Sequence, residues 1–314
     1  MAALAANEAR LDIAATWQRE YESHLEGRLE STLRYLGAIP AAELRSHARS
    51  FFALLQETQR YPRMLGTTLR LIAALHPLPM HWGMTYAWEP VLRFALEHTP
   101  RDETPQRAEY RCALGDVLLF TGRFDEAVEQ SRTVLSIASV PEALVARAGR
   151  IAFLSLRFSG KRAEAEGVLE QGRARFMADR PSAEVPADLA MAWLVCNQSR
   201  LEWLREKGQP DEAYALVNEM IALDRRLGVP DPIRTADLLT QRSTLLWSRS
   251  RYAEAIADLN GCIELYRGAG DILNAESRRC NLGLAHWLTG DLDPAEANLA
   301  AAMQLYQRIG LDQM

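Results

Sequence analysis

A unit of about forty residues recurs along the chain, and no other feature constrains its fold as strongly. The segments TGRFDEA (121–127), SGKRAEA (159–165), KGQPDEA (207–213), RSRYAEA (249–255) and TGDLDPA (289–295) each place an alanine five residues after a glycine or, once, a serine. These hinge residues are Gly122, Gly160, Gly208, Ser250 and Gly290. A more degenerate copy, WGMTYAW, surrounds Gly83 and puts Trp88 in the alanine's place. Successive hinges then lie 39, 38, 48, 42 and 40 residues apart. Self-similarity at such a period marks stacked units, none of which can bury its apolar face alone.

The flanking positions describe two packed helices per unit. Four residues before the hinge stand Leu118, Leu156, Leu204 and Leu246, with His286 in the last copy. Nine residues after it come Leu92, Ser131, Leu169, Val217, Leu259 and Leu299; twelve after it come Ala95, Val134, Gly172, Met220, Cys262 and Ala302. Small residues at fixed places let two helix backbones approach closely. A hinge glycine ends the first helix, because only glycine takes positive φ without penalty. Acidic residues just beyond it suit the N-terminal turn of the second helix. Strand-like alternation is absent, so the fold class expected is all-α, built of antiparallel helical hairpins.

The best copies, LGDVLLFTGRFDEAVEQSRTVL (114–135) and LGLAHWLTGDLDPAEANLAAAM (282–303), resemble the tetratricopeptide repeat. The resemblance runs over roughly residues 69–310 and implies a right-handed superhelical solenoid. Phe153 and Leu201 depart from it, standing where the family has a small residue seven before the hinge; those helix pairs are expected to cross at a looser angle. The forty-residue unit, longer than the family's usual one, is similar to the repeat arrays of STAND-type signalling ATPases and regulators. There the array is the sensor arm beside a nucleotide-switch domain. HARSFFALLQETQ (47–59) resembles the helix that joins switch and array in such proteins.

Residues 1–66 are read as N-terminal helices that pack on or lead into the array, and 67–314 as an array of about six hairpins. Residues 8–36 form one long amphipathic pattern through Leu11, Trp17, Tyr21, Leu25, Leu29, Leu33 and Leu36. GAIPAAE (37–43) breaks it, and a second helix is expected from Pro40 to about Arg60. Three polar links interrupt the array: HTPRDETPQ (98–106), ADRPSAEVPAD (178–188) and GVPDPIRT (228–235). The second of these is expected to be the most mobile. The closing AAMQLYQRIG leaves Met303, Leu305, Tyr306 and Ile309 with no following helix, which suggests either a longer array or an interface at that end.

Composition narrows the function classes. The net charge of −5 is mixed in sign along the chain, unlike the concentrated basic face that phosphate-backbone binding requires. Cys112, Cys196, Cys262 and Cys280 are widely spaced and form no metal or disulfide pattern. A signal peptide and a membrane-length apolar run are both missing, so a cytoplasmic location without membrane or direct nucleic-acid partners is expected. No H-E-x-x-H is present; His76 and His81 flank prolines in HPLPMHWG and read as turn or packing residues. FSGKR (158–162) lacks the rest of a phosphate loop and is already explained as a hairpin turn. No catalytic residue, cofactor or metal is expected, and the chain reads as a non-enzyme.

What remains is a binding surface. The first helices of an array of this kind line its concave side, and residues 3, 6, 10 and 13 before each hinge share one helix face. That stripe reads Glu109, Cys112, Asp116, Leu119; Arg147, Arg150, Leu154, Arg157; Val195, Gln198, Glu202, Arg205; Asp237, Thr240, Thr244, Trp247; and Ser277, Cys280, Leu284, Trp287. The ligand-binding candidates are Arg147, Arg150, Arg157, Glu202, Arg205, Thr244, Trp247 and Trp287. Charged and aromatic groups together suit a peptide with acidic and apolar side chains. The tryptophans equally suit gap-filling between hairpins, and the arginines a solvated face. The Lys and Asn of the family's clamp for C-terminal carboxylates are not in this stripe, so that mode is not expected. The expected function is therefore a protein- or peptide-binding module: the sensing arm of a STAND-like regulator with a switch domain in the same longer chain, a free-standing receptor for a short signalling peptide, or an assembly scaffold.

Overall fold

A computed structural model describes residues 2–76, 78–102, 104–228 and 231–308. Helix α1 (Ala2–Ala38) is a single long rod, followed by α2 (Ala41–Leu44) and α3 (Ala48–Thr58). The degenerate first unit comprises α4 (Leu65–Leu75), α5 (Leu78–His81) and α6 (Thr85–His98). Five hairpins follow: α7 (Thr104–Phe120) with α8 (Phe124–Leu135), α9 (Glu142–Phe158) with α10 (Arg162–Arg175), α11 (Ala190–Glu206) with α12 (Pro210–Leu227), α13 (Pro232–Trp247) with α14 (Tyr252–Gly268), and α15 (Ile272–Thr289) with α16 (Leu292–Arg308). Among the described residues there is no strand, and the chain is an all-α helical-repeat solenoid.

Every hinge is closed by the same backbone device. The N–H one residue past the hinge donates to the carbonyl four residues before it: Arg123 to Leu118 (2.8 Å), Lys161 to Leu156 (2.8 Å), Gln209 to Leu204 (3.0 Å), Arg251 to Leu246 (3.0 Å) and Asp291 to His286 (2.9 Å). This six-to-one bond requires a left-handed residue at the hinge. Gly83, Gly122, Gly160, Gly208 and Gly290 have φ between 70° and 87°, and Ser250 holds 57° despite its Cβ. The leucine four before the hinge serves twice, giving its carbonyl to the cap and its buried side chain to the core. Ala127, Ala165, Ala213, Ala255 and Ala295 are buried where α8, α10, α12, α14 and α16 meet their partners. Trp88 occupies that place in the first unit, fully buried and edge-on to Phe52 at 6.0 Å.

Helix contact within a hairpin is most extensive where the residue seven before the hinge is Ser243 or Gly283. Gly115 and Gly283 leave almost no space: a Cβ at Gly115 would lie 3.1 Å from Ile151, and one at Gly283 2.7 Å from Leu299. With Ser243 and Gly283 at that position, α13–α14 and α15–α16 meet along much of their length. Phe153 and Leu201 are themselves fully buried, and α9–α10 and α11–α12 meet along less. One apolar core runs from Leu25 and Leu29 of α1 through α3, α4, α6 and α7 to Cys196, so the N-terminal helices and the first hairpins share an interior.

One helix differs from the sequence expectation, and one link carries more structure than its composition indicates. The helix expected from Pro40 to about Arg60 is broken into α2, a 3-10 turn over Arg45–His47, and α3, because Ala48 and Phe51 turn inward with Leu54 and Leu55. The link at 178–188 contains a 3-10 turn (Ser182–Glu184) and is held from several sides. Arg200 donates to the Ala178 carbonyl (2.8 Å), Arg226 to that of Ser182 (2.8 Å), Trp193 to that of Arg180 (3.3 Å), and Ser182 N–H to Glu219. Leu305, Tyr306 and Ile309 fall outside the described side chains; Met303 is exposed.

The first unit also touches the last hairpin. His81 Nδ1 lies 3.1 Å from Asp271 Oδ2, bridging 190 residues of sequence, and Asp271 is only 1% exposed. Gly83 sits so close to Leu273 that a Cβ there would come within 2.5 Å of it. His76 Nε2 lies 3.2 Å from Glu109. The HPLPMHWG segment thus joins the first unit to α7 and to α15, and its histidines are polar bridges and not simply turn residues.

Candidate functional site

Most of the inner stripe is committed to partners within the chain. Arg147, on α9, donates through Nε and a terminal nitrogen to Asp116 (3.0 and 2.7 Å) and through the other to Glu109 (2.7 Å). Burial alone would lower the Arg147 pKa, but the two carboxylates outweigh it and hold it above the ordinary value. Burial would likewise raise Glu109; the His76 hydrogen bond and the Arg147 charge outweigh that and hold it below the usual carboxylate range. Arg157 pairs with Glu202 (3.6 Å) and Glu206, while Arg205 reaches Glu202 (3.4 Å) and Gln241 (3.1 Å). Arg147 and Arg157, both part-buried, and the exposed Arg205 are thus each tied to carboxylates of the chain. Thr244 donates to its own helix at the Thr240 carbonyl (3.1 Å). Trp247 packs edge-on against Tyr252 at 5.6 Å and supports the core of the last hairpins. Trp287 remains open, 60% exposed beside Leu284 and Leu288.

Arg150 differs from the other arginines of the stripe. No described residue forms a hydrogen bond or ion pair with it, yet it lines a cavity of about 140 Å³ with Gln198 and Glu202 of α11 and Asp237 and Gln241 of α13. Leu201 and Leu238 close the cavity's floor, so three successive first helices build one pocket. Asp237 accepts a hydrogen bond from the Tyr266 hydroxyl (2.5 Å), and burial pushes its carboxyl above the usual range. A second cavity of about 210 Å³ lies at the hinge end of α9 and α11, between Phe153, Arg157, Arg162, Trp203 and Lys207.

The structure brings Arg150 and Glu202 together and leaves Arg147, Arg157, Arg205, Thr244, Trp247 and Trp287 outside this cavity, Arg157 lining the second one. Gln241 was missed because the stripe was stepped by three from Asp237; a step of four along the same face reaches it. Tyr266, on a second helix, carries no signal in a first-helix stripe. Burial pushes the Cys112 and Cys196 thiols up to about 12, which makes them inert packing groups. Cys262 is also buried, and no cluster of three metal-ligating side chains occurs among the described residues. No described helix is long and apolar enough to cross a membrane.

Residues 108–140, spanning α7 and α8, match the family model of the tetratricopeptide repeat. Together with the recurring hinge, this places the molecule among the helical-hairpin repeat proteins. Two solved structures are similar to it. A thermophilic TPR protein from Thermus thermophilus aligns with a TM-score of 0.47 at 18% identity, covering 70% of this chain and 97% of its own. BtubC from P. vanneervenii aligns with a TM-score of 0.36 at 15% identity, covering 90% of this chain and 92% of its own. No curated protein matches the chain.

Proposed function

We propose that the chain is a non-enzymatic protein-interaction module that takes a polypeptide segment against the first helices of its array, and that it is the sensing arm of a STAND-like regulator. The observation that carries the interaction reading is the cavity shared by α9, α11 and α13, where polar groups from three successive repeats converge without being consumed by one another. An extended segment lying across the repeats would meet groups from three successive hairpins at this one place. The sensing role is supported by the forty-residue unit and by the His81–Asp271 bridge, which ties the array's curvature to a contact between its two ends. A ligand alters that curvature only by binding the two shapes with different affinity.

A photo-crosslinking residue at Gln198 or Thr244, on the inner face, should trap a partner that one at the exposed Glu264 of α14 does not. Equal capture from both faces would sink the inner-face assignment. For the sensing role, amide hydrogen exchange around Asp271 should change when the captured partner is added; unchanged exchange leaves a plain receptor.

A further inference from the structure

Resting on the inner-face reading above, we propose that the cavity between α9, α11 and α13 is a subsite for a carboxamide. The side chain of an asparagine or glutamine in the bound segment would accept from Arg150 and donate to Asp237.

The cavity holds unspent hydrogen-bonding capacity. Arg147, Arg157 and Arg205 each face a carboxylate of the chain, whereas Arg150 has five N–H donors and no described hydrogen-bond or ion-pair partner. Opposite it, Asp237 spends one oxygen on Tyr266, leaving the other without a described donor. Arg150 and Asp237 feel one another's charge but do not reach ion-pair distance, so the cavity keeps a donor wall apart from an acceptor wall. Glu202 is committed to Arg157 and Arg205, and the Gln241 carbonyl to Arg205. The amide of Gln198 and the amino group of Gln241 stay open to a guest.

A lone carboxylate would suit Arg150 but stand against Asp237 and Glu202; a lone ammonium would reverse the conflict. A carboxamide carries an acceptor and two donors on adjacent atoms and satisfies both walls at once. It brings no net charge into a recessed site, which avoids the desolvation cost of burying an ion. A volume of about 140 Å³ admits a short side chain and excludes a folded element.

The test is a titration of the isotopically labelled full chain with five acetylated, N-methylamidated pentapeptides, alanine throughout except for a central Gln, Asn, Glu, Lys or Ala. The reporters are the Arg150 Nε–Hε resonance, assigned by its loss in Arg150→Met, and the side-chain amides of Gln198 and Gln241, which line the same cavity and remain readable in that variant. The Gln or Asn peptide should bind roughly tenfold or more tightly than the Glu, Lys and Ala peptides. That preference should vanish in Arg150→Met, which breaks no internal pair and should keep the native melting temperature. It should also vanish in Asp237→Asn, where the Tyr266 bond can persist while the remaining amino group repels the guest's own. Tightest binding by the Glu or Lys peptide would overturn the carboxamide assignment in favour of a simple charge site. Equal binding by all five, with inner-face resonances shifting and Arg150→Met behaving as wild type, would overturn the subsite and leave the inner-face reading standing. No shift on the inner face at millimolar peptide would overturn both.

Discussion

The middle hairpins, α9–α12, and the last two, α13–α16, obey one repeat pattern but pack differently. In the last pair Ser243 and Gly283 let the helices close tightly, and Gly283 leaves no space for another carbon atom. In the middle pair the equivalent residues are Phe153 and Leu201, and the helices meet along less of their length. Phe153 lines the cavity at the hinge end of α9, and Leu201 floors the one at Arg150. The open space in the array is therefore found where its sequence departs from the repeat. A bulky residue in place of a small one spreads two helices and leaves recesses along their neighbours.

If that account holds, truncating a spreader and enlarging a small residue should both destabilise, by different mechanisms. Phe153→Ala removes a fully buried ring and should cost about 3–5 kcal/mol in denaturant unfolding. A cost below about 1 kcal/mol would mean that α9 and α10 close onto the alanine, and that the wider spacing is not set by Phe153. Gly283→Val is next in size. Its added carbons meet Leu299 at 2.7 Å and the Ala295 carbonyl at 3.1 Å, for an expected loss of about 1–3 kcal/mol. An unchanged melting temperature would show that Leu299, partly exposed, yields without cost.

The difference between the two regions was legible at Phe153 and Leu201, because a repeat turns every departure into a visible outlier. Period, hinge and helix order were legible for the same reason: the six-to-one cap needs a positive φ, and glycine records that need in the sequence. The site was much less so. A stripe gives the face a side chain lies on but not what that chain meets there, and Arg147, Arg150, Arg157 and Arg205 look alike on it. Their fates diverge through partners on other helices, Asp116 and Glu109 for Arg147, Glu206 and Glu202 for Arg157. The His81–Asp271 bridge was beyond reach, since it depends on how far five intervening hinges turn the chain.

Arg147 and Arg150, one helical turn apart, compress this contrast into two substitutions. Arg147→Met should cost about 1–2 kcal/mol, because it leaves Asp116 unpaired and Glu109 with His76 alone, with partial exposure moderating the loss. Arg150→Met should be nearly neutral. The Arg147 loss should also depend on pH. Glu109 titrates below its ordinary value in the folded chain, so its contribution is present above the unfolded value and fades as pH falls through the folded one. The gap between wild type and Arg147→Met should then start to narrow below about pH 4 and close only once the pH has passed the lowered Glu109 value. A gap that persists in acid would assign the effect to lost packing of the arginine stem.

The smallest expected effect bears on the hinge that all the hairpins share. Ser250 alone among the array's hinges carries a side chain, and it sits at φ 57° with its N–H bonded to the Trp247 carbonyl at 2.9 Å. A Cβ in the left-handed region costs roughly 1–2 kcal/mol, while glycine adds back some entropy to the unfolded chain. Ser250→Gly should therefore gain about 0.5–1 kcal/mol, read as a higher midpoint with an unchanged slope in urea. The same change should leave Arg150 and its cavity untouched, since the hinge lies at the far end of α13 from Asp237. A loss of stability would instead mean that the Ser250 hydroxyl holds the turn, and that the glycine at the other hinges answers a packing need separate from its backbone freedom.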